Sequence, residues 1–220
     1  MPSIYYIDLY FVGPSAVALE HYPFKDYFPL IIRDYIQGVV DVRADGNCGF
    51  RAASSFVFGN EENWKFVRKA IASELKANRS LYQNFYVDPI DQAIDRIEWY
   101  EENCREQYWM VTPEDLHAIA TYFNVVIIYI AFGTNEHSTA SCCTILPLYV
   151  SERNVTTPSQ EICIAHIPVI RHFVRLNLSA NCPMPPIPWK WSRLRQESVR
   201  NWERPYADRF QLWHSLANVV

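Results

Sequence analysis

Val125 to Ala131 reads Val-Val-Ile-Ile-Tyr-Ile-Ala, seven residues without a charge among them. A run this short, β-branched and unbroken predicts a strand at the centre of a sheet, covered on both faces. Such a sheet needs helices over it. The residues just before supply one. Thr112 suits an N-cap, Pro113 the first helical position and Asp115 the capping-box position, and Leu116, Ile119, Ala120 and Phe123 share a face.

The rest of the chain divides around this unit. Residues 1–29, with Pro14, Pro23 and Pro29, read as an extended, aromatic-rich lead-in. Residues 30–180 form the main domain. In it, Leu30 to Val42 is a mixed apolar stretch suited to a short helix. A second helix is expected after Asn60, with Trp64, Val67 and Ile71 as its apolar stripe, and a third through Ile90, Ile94 and Ile97. Strands are expected at Thr144 to Val150, Ile162 to Ile167 and Phe173 to Leu178. Helices dominate the first half and strands the second, so the fold class is α+β, with helices packed around one sheet. Residues 181–220 hold a connector with Pro183, Pro185, Pro186 and Pro188. A helix follows in which Tyr206, Phe210 and Trp213 recur at helical spacing, to pack on the body or on a partner.

Composition narrows the function classes. The chain has 220 residues and a net charge of −4, with no basic block, which argues against nucleic acid as the partner. Six cysteines, at positions 48, 104, 142, 143, 163 and 182, show no CxxC pair and no zinc-like spacing with histidine, so no metal is expected. The core is too large for a disulfide scaffold, so reduced thiols in an intracellular setting, cytoplasm or nucleus, are the expectation. Ile4 to Val12 is interrupted by Asp8 and lacks a basic lead, so it is not read as a secretory signal. Nowhere do about 18 apolar residues run together, so no membrane span is expected. Asn154-Val155-Thr156 fits a glycosylation acceptor, read here as chance.

Chemistry concentrates in Asp45-Gly46-Asn47-Cys48-Gly49-Phe50-Arg51-Ala52. A tight polar turn delivers a cysteine to the start of an apolar, helix-compatible run. A helix N-terminus offers unpaired N–H groups and the positive end of the dipole, which favour a thiolate and can hold an oxyanion. Gly46 permits a sharp turn and Asn47 suits one. A cysteine so placed needs a base. Of His21, His117, His137, His166, His172 and His214, His172 fits best, because it opens the alternating strand Phe173 to Leu178 and can be held rigidly at a sheet end. His166, in a strand-like run, is second, and His117 reads as structural.

These residues resemble a known family. Asp45-Gly46-Asn47-Cys48 with Gly49-Phe50-Arg51 resembles the active-site signature of the ovarian tumour (OTU) family of cysteine peptidases. Asn63-Trp64-Lys65-Phe66-Val67-Arg68 resembles its following helix, and Trp109 through Ile130 its acidic-capped helix and central strand. His172-Phe173 is similar to its catalytic histidine and the aromatic residue after it. The resemblance spans Leu30 to Leu178. It implies a papain-like fold with a central sheet packed between helices. It also implies a deubiquitinase that hydrolyses the bond at the C-terminal glycine of ubiquitin, alone or in chains, with no metal or cofactor.

Carried over, Cys48 is the nucleophile and His172 the general base and later acid. The N–H groups of Gly46, Asn47 and Cys48 form the oxyanion hole. Many relatives carry Asn or Asp two residues after the histidine, where this chain has Val174. The third role is therefore assigned to Asp45, with Asn177 as the alternative on the opposite strand face, and with Asp45 as a mere cap of the turn also open. Glu101, Glu102 and Glu106 form an acidic cluster, read as a solvated helix face. Two other functions stand beside the first: an inactive ubiquitin-binding module, and a protease of the same fold for another ubiquitin-like modifier.

Overall fold

A computed structural model of the chain describes residues 23–131, 141–150, 158 and 160–217. The lead-in up to Tyr22, with His21, and likewise His137 and Asn154-Val155-Thr156, lie outside the described residues. In chain order the elements are α1 (Leu30–Arg33), β1 (Ile36–Val40), α2 (Cys48–Val57), α3 (Trp64–Ala77), α4 (Arg79–Tyr82), α5 (Ile90–Ile97), α6 (Glu114–Phe123), β2 (Val125–Ala131), β3 (Cys143–Ile145), β4 (Gln160–Ile167), β5 (His172–Leu178), α7 (Trp189–Leu194) and α8 (Ala207–Ala217).

The five strands form one mixed sheet in the order β1-β5-β4-β2-β3. Only β2 and β4 run parallel; the other neighbours are antiparallel. β2 is buried along its whole length, as its composition requires. α2 lies on β5 and β4, α6 lies on β2 and β3, and α3 packs against both helices. The stripe of α3 is formed by Trp64, Val67 and Ile71, all buried. This is the α+β layout anticipated from the order of elements.

Three local expectations need correction. Leu30 to Val42 holds the expected short helix, α1, but its second half is the edge strand β1, which was not anticipated. Ile36, Gly38, Val39 and Val40 pair with β5 around a bulge at Gln37, and two β-branched residues beside a glycine suit an edge better than a helix. α6 starts at Glu114, not Thr112. Thr112 spends its hydroxyl on Tyr129 (2.7 Å), and Asp115 accepts from the N–H of Val111 (2.9 Å). The expected strand over Thr144 to Val150 shortens to β3, because Pro147 cannot donate to a ladder.

After β5 the chain packs back on the body. Trp191, Trp202 and Trp213 are buried, and Trp191 Nε1 donates to the carbonyl of Pro147 (2.9 Å). On the free edge of β3, the Thr144 N–H donates to Pro186 O (3.1 Å) and its hydroxyl to Pro185 O (2.6 Å). The proline segment thus accepts bonds along that edge. Its prolines carry no N–H to pass the ladder on. Among the described residues no helix is long and apolar enough to cross a membrane, and no group of three His, Cys, Asp or Glu side chains is arranged to hold a metal.

Candidate active site

Seven residues, Asp41 to Asn47, link the end of β1 to the start of α2. Asp45 folds this link. Its carboxylate accepts from the Asn47 N–H (2.9 Å), an Asx-type turn, and from both Nε (3.1 Å) and Nη2 (2.7 Å) of Arg51, one turn into α2. Burial alone would push the Asp45 carboxyl up. The Arg51 fork and the Asn47 N–H outweigh it and hold the group below its ordinary value. Gly46 follows with φ +81°. A Cβ here would lie 2.2 Å from the carbonyl oxygen of Cys104 and 2.7 Å from Nε1 of Trp109, so only glycine fits.

Cys48 is the first residue of α2 and is 7% exposed. The backbone N–H groups of Phe173 and Gly49 act on its sulfur in the direction that lowers the thiol. The expectation that the helix start would favour the thiolate meets a larger effect. Burial pushes the thiol up, the nearby Asp45 charge adds to this, and the N–H groups do not outweigh them. The Cys48 thiol is thus harder to ionise than a free one. It requires a base.

His172 opens β5, one residue before Phe173, whose N–H favours the Cys48 thiolate. The imidazole is buried. Its Nε2 lies 2.7 Å from Oδ1 of Asp41, and its Nδ1 is buried with no hydrogen-bond partner. Asp41 is the residue that sequence reasoning missed. β1 and β5 pair with Val40 opposite Arg175, so the next residue, Asp41, falls beside Val174 and one diagonal step from His172. The carboxylate bonded to His172 follows the neighbouring strand β1, while Val174, two residues after the histidine, carries no polar group. The available signal was an aspartate directly after Val39-Val40, obscured by treating β1 as helix.

The other candidates are placed as follows. Asp45 bonds Arg51 and Asn47 and shares no hydrogen bond with His172; its geometry is that of the turn's cap. Asn177 is exposed and sits opposite Gly38, about 17 Å along the strand from His172 at ~3.4 Å per residue. The Asn47 N–H is already given to Asp45, which removes it from the oxyanion set. The N–H groups of Gly46 and Cys48 meet no carbonyl or carboxylate among the described residues. His166 stacks on the Phe173 ring (4.4 Å), and His117 is buried in α6 against Phe85 (4.4 Å). Of the acidic cluster, Glu102 pairs with Arg43, and Glu106 with Arg171, whose guanidinium stacks on Trp109 (4.6 Å).

Residues 39–141 match the family model described as Vertnin, OTU domain. The match includes the whole turn from Asp41 to Cys48 and ends before His172. No curated protein shows significant sequence similarity to the chain. Among solved structures, the OTU domain of OTUD1 is similar over 64% of this chain and 85% of its own, with 16% identity and a TM-score of 0.47. The viral OTU domain protease from Dera Ghazi Khan virus overlaps 67% of this chain and 84% of its own, at 18% identity and a TM-score of 0.48. The Hazara virus OTU, solved bound to ubiquitin, overlaps 67% and 84%, at 16% identity and a TM-score of 0.43. Over residues 39–141 the chain thus matches the OTU domain family.

Proposed function

We propose that the chain is a thiol-dependent deubiquitinase that cleaves the bond after the C-terminal glycine of ubiquitin. One observation carries this reading. The Phe173 N–H acts on the Cys48 sulfur, and Phe173 directly follows His172, whose Nε2 is held by Asp41 and whose buried Nδ1 has no hydrogen-bond partner. The OTU family of residues 39–141 supports ubiquitin as the substrate class.

The chemistry follows from these groups. His172 Nδ1 takes the proton of the Cys48 thiol as the sulfur attacks the glycine carbonyl. Asp41, bonded at Nε2, orients the ring and stabilises the imidazolium that forms. Asp41 thus takes the third role in place of Asp45. The oxyanion is met by the N–H of Cys48, with that of Gly46 beside it. The imidazolium returns its proton to the departing lysine amine. Water, deprotonated by His172, then cleaves the thioester and restores the thiol. No step calls for a metal or cofactor. The reading of an inactive ubiquitin binder rested on Val174, and Asp41 removes that ground.

The test is a ubiquitin suicide probe with a C-terminal thiol-reactive group, run with the wild-type chain, Cys48→Ala and His172→Ala. A covalent adduct that vanishes with Cys48→Ala and is greatly slowed by His172→Ala is the expected result. No adduct from folded wild-type protein overturns the proposal; labelling by the probe of another ubiquitin-like modifier would then identify the third reading.

A further inference from the structure

Arg68 is a cation with no exposed surface and no carboxylate within bonding distance. A buried guanidinium bonded to no carboxylate is expensive to keep, and an apolar residue of the same size would stabilise α3 at least as well. Burial pulls it down to about 10. What it bonds explains its presence. Nε (3.0 Å) and Nη2 (2.8 Å) both donate to Oδ1 of Asn47. The other contacts of the fork are the carbonyls of Tyr108 (2.8 Å), Arg96 and Ile97 (both 3.3 Å) and the Cys104 sulfur (3.6 Å), and the guanidinium lies over the Phe50 ring at 3.9 Å.

Asn47 is thereby held at every polar atom of its side chain. Its amide Nδ2 donates to Oδ2 of Asp45 (3.4 Å) and to the carbonyl of Glu101 (3.2 Å). Its own N–H is fixed on Asp45. The next N–H along the chain is that of Cys48, and its direction depends on how the Asn47 side chain and peptide are seated. We infer that Arg68 is the positioning residue of the oxyanion turn, acting through Asn47 on the Cys48 N–H. Its charge, set behind the turn, also favours the oxyanion over the neutral ground state. This rests on the deubiquitinase reading for its substrate but not for its geometry.

The experiment measures hydrolysis of a fluorogenic amide at the ubiquitin C-terminus, for wild type, Arg68→Lys, Asn47→Ala, the double variant and Glu74→Gln. Glu74 is buried on the same helix and bonds Tyr82 and Tyr149, away from the turn. Arg68→Lys keeps the charge and loses the fork. It should lower kcat about 30-fold with KM within about threefold, since loss of one oxyanion donor costs about 10²-fold or more. Glu74→Gln should lower thermal stability and leave kcat within about twofold. The double variant should be no slower than about threefold below the worse single one, because both act on one turn.

Three results overturn the proposal: kcat within threefold of wild type for folded Arg68→Lys, an equal loss in Glu74→Gln, or losses that multiply in the double variant. If Arg68→Lys does not fold, Asn47→Ala carries the test, with the same loss expected and a near wild-type kcat fatal to it. If wild type shows no turnover, the deubiquitinase reading fails by itself. The rate at which iodoacetamide alkylates Cys48, read on its own peptide, then decides: a several-fold drop in Arg68→Lys upholds the positioning role and an unchanged rate ends it.

Discussion

Cys48 and His172 are held by different means. The turn that carries Cys48 is tied by Asp45, Asn47, Arg51 and Arg68, all buried. The partner of His172 is Asp41, whose side chain is 57% exposed, and the turn before it, Pro168 to Ile170, presents Val169 and Ile170 to solvent. A buried ionic framework is set once, when the chain folds, and tolerates little change. A hydrogen bond whose carboxylate reaches solvent can be broken without unfolding anything. On the proposed roles, the Cys48 side couples activity to stability and the His172 side lets activity vary alone.

The largest effect should come from Asp45→Asn. It leaves Arg51 buried with half a partner, and breaking such a pair costs about 3–5 kcal/mol. In a chain of this size the melting temperature should fall by roughly 10 °C. A shift under about 2 °C would show that the framework is not rigid, and the contrast would collapse. Next, Asp41→Asn should lower kcat by about 10- to 100-fold, the range for loss of support to a general base, with the melting temperature within about 1 °C. Equal damage to both quantities would place Asp41 in the framework instead.

A third test moves pH. Burial pushes the His117 imidazole down to about 3, from an ordinary 6.5. The unfolded chain takes up this proton near pH 6.5, and the folded chain does not until near pH 3. His117 thus contributes stability that is complete above pH 6.5 and is lost as pH falls from there toward 3. Urea midpoints between pH 7 and 4 should drop more steeply for wild type than for His117→Gln; parallel slopes would mean that the site admits a proton. The smallest effect belongs to Arg171→Ala, which removes an exposed pair with Glu106 and should move the melting temperature by under about 1 °C. A larger drop would make the base side more framework-like than it looks.

What could be read in advance follows the same division. β2 was legible because seven consecutive apolar residues admit only one environment. The Cys48 turn was legible because glycine, asparagine and a helix start are local requirements, and the φ of +81° at Gly46 is the kind of constraint that composition exposes. β1 was not legible: five residues with one glycine become a strand only because β5 lies beside them. Asp41 was hidden for that reason, since its meeting with His172 depends on a register between strands 131 positions apart in the chain. Arg68 was visible only as part of a familiar-looking helix, because the worth of a buried cation lies in partners that sequence does not place.

The proline strap on β3 bears on where the chain can be cut. Thr144 has its N–H and hydroxyl answered by Pro186 and Pro185, and the segment beyond brings Trp191, Trp202 and Trp213 into the interior. A fragment ended after β5 would lose three indoles from its core and open a strand edge ready to pair with its own copies. The smallest soluble unit therefore runs on through α8, and shorter fragments should come out as aggregates, whatever chemistry their Cys48 turn retains.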